Sequence, residues 1–107
     1  MQRRTKATGI PKKVKHKVYA RDLEHCVLCG RYALPGWACA HYIARSHGGL
    51  GIEENILTLC PECHRRYDAT PQRGLIKIVL ANYLRSRYED WDERKLVYDK
   101  WQQIEAE

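Results

Sequence analysis

At 107 residues the chain is short for more than one domain, and a core this small gains from a metal staple. It carries 19 Lys and Arg against 13 Asp and Glu, a net charge of +6, and shows neither an apolar run long enough to cross a membrane nor the pattern of a secretory leader. A membrane protein is thereby set aside, and five cysteines, an odd number, point to a reduced cytoplasmic setting rather than a secreted disulfide framework.

The positive charge is concentrated at the start. Between Met1 and Arg21 stand Arg3, Arg4, Lys6, Lys12, Lys13, Lys15, Lys17 and Arg21, with no acidic side chain among them. Residues 1–9 read as a flexible basic arm suited to a polyanion such as DNA, the alternative being a solvated tail. Pro11 can open a helix that carries Val14 and Val18 on one face and ends near Asp22.

Cys26-x-x-Cys29 and Cys60-x-x-Cys63 follow the spacing of a structural tetrahedral zinc site, each pair on a tight knuckle. Disulfides are the alternative, and Cys39 is then an unpaired small residue. Gly30 supplies the positive φ that a knuckle turn often needs, and Pro35-Gly36 marks the next turn. A strand is expected over Trp37 to Ile43, with Trp37, Cys39, His41 and Ile43 on one face and Ala38, Ala40 and Tyr42 on the other. Arg45 to Gly51 reads as a glycine-bearing loop, from which Asn55 to Leu59 returns the chain to the second knuckle.

Pro61 should open a helix running to about Ala69, where Pro71 stops it. His64 and Asp68 lie four apart on that helix, so both side chains reach toward one point, as two metal ligands on a helix must. Two more helices are expected. The first, about Gln72 to Tyr88, presents Leu75, Ile76, Val79, Leu80, Tyr83 and Leu84 to the core; the second, about Trp91 to Ile104, presents Val97, Tyr98, Trp101 and Ile104. Glu89, Asp90, Asp92, Glu93, Asp99, Glu105 and Glu107 make this far end acidic.

The runs Ala40 to Gly49 (AHYIARSHGG) and Glu54 to His64 (ENILTLCPECH), framed by both cysteine pairs, resemble the HNH endonuclease motif of the zinc-stapled kind common in bacteria and their phages. The resemblance covers about residues 24–70. It implies a small zinc-stabilised α+β fold, the ββα-metal finger, here a single domain over residues 1–107. The N-terminal helix would precede the finger, and a helical extension over 72–104 would follow it. It also implies metal-assisted hydrolysis of DNA phosphodiester bonds, which needs a base to activate water and a cation to offset phosphoryl charge.

His41 suits the base, because an imidazole is substantially neutral near pH 7. By resemblance Asn55 pins the loop and orients that base, while His64 turns to a catalytic divalent cation (Mg, Mn, Ni or Zn); the alternative for His64 is a place in the structural zinc site. Many relatives carry an Asp or His ligand directly before the base, where this chain has Ala40. Asp68 can fill that gap, since a carboxylate suits the hard ions of phosphoryl chemistry, with a solvated Asp68 or a Cys39 ligand as alternatives. Arg45 can hold the scissile phosphate. The arm would grip the DNA backbone without reading bases. The competing reading is a zinc-dependent DNA-binding or adaptor module that keeps the fold without cleaving. Nicking or double-strand cutting, a monomer or a weak homodimer, and partners in phage DNA packaging are all left open.

Overall fold

The computed structural model describes residues 3–98. At the centre is a two-stranded antiparallel hairpin, β1 (Ala40–His41) and β2 (Ile56–Leu57), in which Ala40 faces Leu57 and His41 faces Ile56. Helix α3 (Pro61–Ala69) closes on this hairpin, giving the small α+β finger expected from the sequence. Around it lie α1 (Arg3–Thr8), α2 (Lys12–Arg21) and α4 (Arg73–Arg87). Short 3-10 turns at Pro35–Trp37, Arg45–His47, Glu53–Asn55 and Glu93–Leu96 join these elements.

The start of α3 follows directly from its residues. Pro61 needs no hydrogen-bond acceptor at the first helical position, and the Cys60 sulfur accepts from the Cys63 N–H at 3.5 Å. Tyr67 points from α3 into the core and its hydroxyl donates to the Tyr42 carbonyl, which fixes the helix against the hairpin. Leu57, Leu59, Leu80, Leu84 and Leu96 complete that core. A second, smaller cluster of Val18, Ala38 and Ile56, with Ile10 and Val14 against it, seats α2 behind β2.

Arg21 closes the basic run in sequence but turns inward. It bonds Asp22 at 2.7 Å, the Glu53 and Ile56 carbonyls at 2.8 Å each, and the Tyr88 hydroxyl. Asp22 in turn accepts from the Thr58 N–H at 2.9 Å and from the Tyr83 hydroxyl. This charged knot ties α2, β2 and α4 together.

Four expectations need correction. The strand predicted over Trp37 to Ile43 is reduced to Ala40–His41, because the Pro35–Trp37 turn takes its first part; Ala38, Ala40 and Tyr42 are nevertheless buried together as the alternation requires. On α4 the inward stripe is Ile76, Leu80, Ala81 and Leu84, while Leu75 is 74% and Val79 51% exposed. Each sits one residue, about 100°, around the helix from Ile76 or Leu80 and so misses the core.

The predicted flexible arm is helical over Arg3–Thr8 and docked: the Ala7 carbonyl accepts from the Gly51 N–H at 3.0 Å, and Thr8 is only 2% exposed. Over the described part of the last predicted helix, residues 91–98, the chain makes one 3-10 turn opened by Asp92, whose carboxylate accepts from the Arg94 N–H. From there to Tyr98 the chain is extended, with the Leu96 carbonyl bonded to Leu50 N–H and the Tyr98 N–H to the Gly48 carbonyl. Trp101 and Ile104 lie outside the described residues.

Candidate active site

The two cysteine pairs converge. The Sγ atoms of Cys26, Cys29, Cys60 and Cys63 all lie within 4.8 Å of one another, and Cys29 and Cys60 are 3.8 Å apart. Thiolates about 2.3 Å from a zinc ion at tetrahedral angles are spaced by about 3.8 Å, so the four sulfurs could hold zinc, whereas the cysteines are free and none is bonded as a disulfide. Gly30, with φ +78°, makes the knuckle turn, and its N–H bonds the Cys26 carbonyl. Cys39 is half-buried and lies outside this cluster.

The thiols are electrostatically unequal. Burial pushes Cys26 up, but backbone hydrogen bonds from the knuckles outweigh it and bring the thiol down to about 7. Burial and the neighbouring thiols hold Cys63 well above the usual range. A cation is what allows all four to ionise together.

On another part of the finger, His41, Ala44, Arg45, Ser46, His64, Asp68 and Arg73 line a cavity of about 310 Å³. The hairpin supplies His41, the glycine-bearing loop Arg45, α3 both His64 and Asp68, and the start of α4 Arg73. Four of the residues singled out from the sequence are thus brought to one place. His64 Nε2 lies 2.9 Å from Asp68 Oδ2, as the four-residue spacing requires. His64 is therefore turned away from the thiol cluster, which is complete without it.

His41 is half-buried, and its Nε2 is 2.9 Å from the Thr8 carbonyl. A carbonyl can only accept, so Nε2 carries the hydrogen and Nδ1 keeps the lone pair. Burial lowers the His41 pKa below its ordinary value; the Thr8 carbonyl opposes this and the nearby Arg45 charge reinforces it. The imidazole is accordingly neutral at pH 7.

Asn55 stands behind the cavity and is fully buried. Its Oδ1 accepts from Ile43 N–H at 2.8 Å, and its Nδ2 donates to the Leu50 carbonyl at 2.8 Å and the Ile43 carbonyl at 3.3 Å. One side chain thereby closes both ends of the loop that carries Arg45. Arg45 Nε donates to Thr8 Oγ1 at 3.0 Å.

Ala40 is 1% exposed within the core and offers nothing to the cavity. Among the described residues, the four cysteines are the only group of three or more potential ligands close enough to share an ion. His64 and Asp68 form an imidazole and carboxylate pair whose donor types fit a divalent cation, with the remaining coordination left to water or substrate oxygens.

Thr8 and Arg73 were not foreseen. Arg73 lies over the Tyr67 ring at 4.2 Å, donates to the Tyr67 carbonyl at 3.1 Å and comes within 3.7 Å of Asp68 Oδ1. Its place just past the end of α3 was a usable signal; for Thr8, more than thirty residues from its partners in sequence, there was none. Of the basic arm, Lys6, Lys12, Lys13 and Lys17 are exposed, Lys15 is half-buried, and Lys17 also faces Glu53 at 3.7 Å. The side chains of Arg3 and Arg4 lie outside the described residues. No described helix is long and apolar enough to cross a membrane.

Residues 26–70 match the family model of the HNH endonuclease, a stretch that takes in both cysteine pairs, the hairpin and α3. No curated protein and no solved structure matches the chain.

Proposed function

From a chain that carries an HNH endonuclease domain with a four-cysteine staple, we propose a metal-dependent endonuclease acting on DNA, with His41 as its general base. The observation that carries this reading is the His41 hydrogen bond to the Thr8 carbonyl, which commits Nε2 as a donor and keeps Nδ1 basic in a cavity shared with His64, Asp68, Arg45 and Arg73. His41 Nδ1 takes the proton of the attacking water. Arg45 and Arg73 bind the phosphate oxygens and align the ester for in-line attack. Asn55 is a positioning residue that keeps Arg45 and His41 in register. A divalent cation on His64 and Asp68 would supply charge neutralisation at the phosphoryl and leaving oxygens. Lys6, Lys12, Lys13, Lys15 and Lys17 provide backbone attraction for DNA in the cytoplasm, independent of base sequence.

The buried Ala40 and the closeness of Arg73 to Asp68 support a second reading, a DNA-binding module that no longer cleaves. Plasmid cleavage with Mg, Mn, Ni and Zn ions, run beside His41→Ala, separates the two. Cleavage by the parent and a loss on the order of a thousandfold in the variant, with DNA affinity retained, supports the nuclease. DNA binding without cleavage in any cation supports the module.

A further inference from the structure

The N-terminal segment lies outside the matched residues 26–70, yet the carbonyl and the hydroxyl of Thr8 both bond residues that line the cavity. Its carbonyl accepts from His41 Nε2 at 2.9 Å and its hydroxyl accepts from Arg45 Nε at 3.0 Å. Thr8 is 2% exposed, so these bonds form away from competing water.

The segment is held there by backbone contact with Gly51. The Gly51 N–H donates to the Ala7 carbonyl at 3.0 Å, and the two chains pass so closely that a Cβ on residue 51 would lie 1.9 Å from the Gly9 oxygen and 2.6 Å from its carbonyl carbon. Only glycine allows this approach.

Resting on the nuclease reading above, we propose that the segment Arg3–Gly9 completes the active site, with Thr8 as a positioning residue that fixes the tautomer of His41 and the direction of Arg45. A neutral imidazole otherwise distributes its hydrogen between two nitrogens, and the form with hydrogen on Nδ1 cannot take a proton there. The Thr8 carbonyl removes that form. The arm is thus part of the chemistry as well as a polyanion grip.

The test uses the 107-residue chain and three variants. Gly51→Ala retains every charge but forces Gly9 and Thr8 away; its own backbone is not in the left-handed region, so the clash is the effect. Ring nitrogen NMR of the zinc-loaded protein without a second cation should show His41 as the single Nε2–H tautomer in the parent and as a mixture in Gly51→Ala. In plasmid cleavage, kcat for Gly51→Ala should fall about tenfold or more while KM for DNA stays within about twofold. Thr8→Val keeps the carbonyl but removes the Oγ1 acceptor of Arg45 Nε, so the tautomer should persist and kcat/KM fall; Thr8→Ser, which keeps both groups, should hold tautomer and kcat/KM at the parental level.

A parent with mixed His41 tautomers overturns the proposal, as does a zinc-loaded Gly51→Ala with parental tautomer and kcat. If Gly51→Ala does not fold, Thr8→Val against Thr8→Ser decides, and equal kcat/KM in the two overturns it. If the parent cleaves nothing, the nuclease reading fails, while the tautomer comparison still tests what Thr8 does to His41.

Discussion

His41 illustrates how much of a residue's chemistry is set by what surrounds it. With His41 as the base proposed above, its depressed pKa places the acidic limb of the pH–rate profile below the ordinary histidine value of about 6.5, so the rate should rise with pH through that range and be flat by neutrality. The stability linkage has a definite sign: because the folded pKa is lowered, the contribution of His41 is fully present above about pH 6.5 and is lost as pH falls through the folded value. Rate profiles for the parent, and urea melts of parent and His41→Ala across the same range, check both. Asp68 makes a different prediction. Asp68→Ala should lose most activity when the cation is limiting and less when it is saturating, read from cleavage rate against cation concentration. Ala40→Asp should not supply the missing ligand, since a carboxylate there enters a position 1% exposed and should destabilise the fold by about 3 kcal/mol or more. An Ala40→Asp protein with parental stability and stronger cation binding would reject that account.

At the level of elements, the Arg21–Asp22 knot holds α2 to β2 and α4. Asp22→Ala removes the acceptor of the buried Thr58 N–H and of the Tyr83 hydroxyl, and leaves Arg21 without its carboxylate. The expected loss is about 3–5 kcal/mol in denaturant melts, far above the roughly 1 kcal/mol of a surface ion pair. The sequence shows neither's part in the knot, since Arg21 reads as one more cation of the basic run and Asp22 only as the end of a helix. Helices α2, α3 and α4 were legible because their signals are local: Pro61 and Pro71 bracket α3, and its four-residue spacing already set His64 beside Asp68. The cysteine pairs were legible for the same reason. What sequence could not show is order imposed from a distance. Residues 3–8 read as part of a flexible basic arm until Gly51 offers them a seat, and residues 92–98 have helical spacing but pair with the loop at Gly48 to Leu50 instead. The glycine-bearing loop is consequently held by Asn55 within the finger, by the arm before it and by the chain after it.

At the scale of the whole molecule, the four-cysteine cluster is expected to carry stability that so small a hydrophobic core does not supply. The four thiols join the Cys26–Cys29 knuckle to the first turn of α3, and Cys60 also caps that helix, so loss of an ion there should release the finger and separate His64 from His41. Zinc bound by a site of this type contributes roughly 10 kcal/mol or more of apparent free energy at neutral pH, comparable with the entire stability of an ordinary small domain. A chelator should therefore unfold the protein, with loss of far-ultraviolet circular dichroism and of cleavage together, and added zinc should restore both. The pH dependence follows from the thiols. Cys63 is held far above its usual range and Cys26 near 7, so loading the site must expel protons, and each proton displaced weakens apparent affinity about tenfold per unit fall in pH. Stabilisation by zinc is then full at alkaline pH and is lost on acidification, which competition against a chromogenic chelator across neutral pH would measure. A metal-free protein that keeps its circular dichroism, or a zinc affinity that does not change with pH, would mean that the core carries the fold and the four cysteines do not.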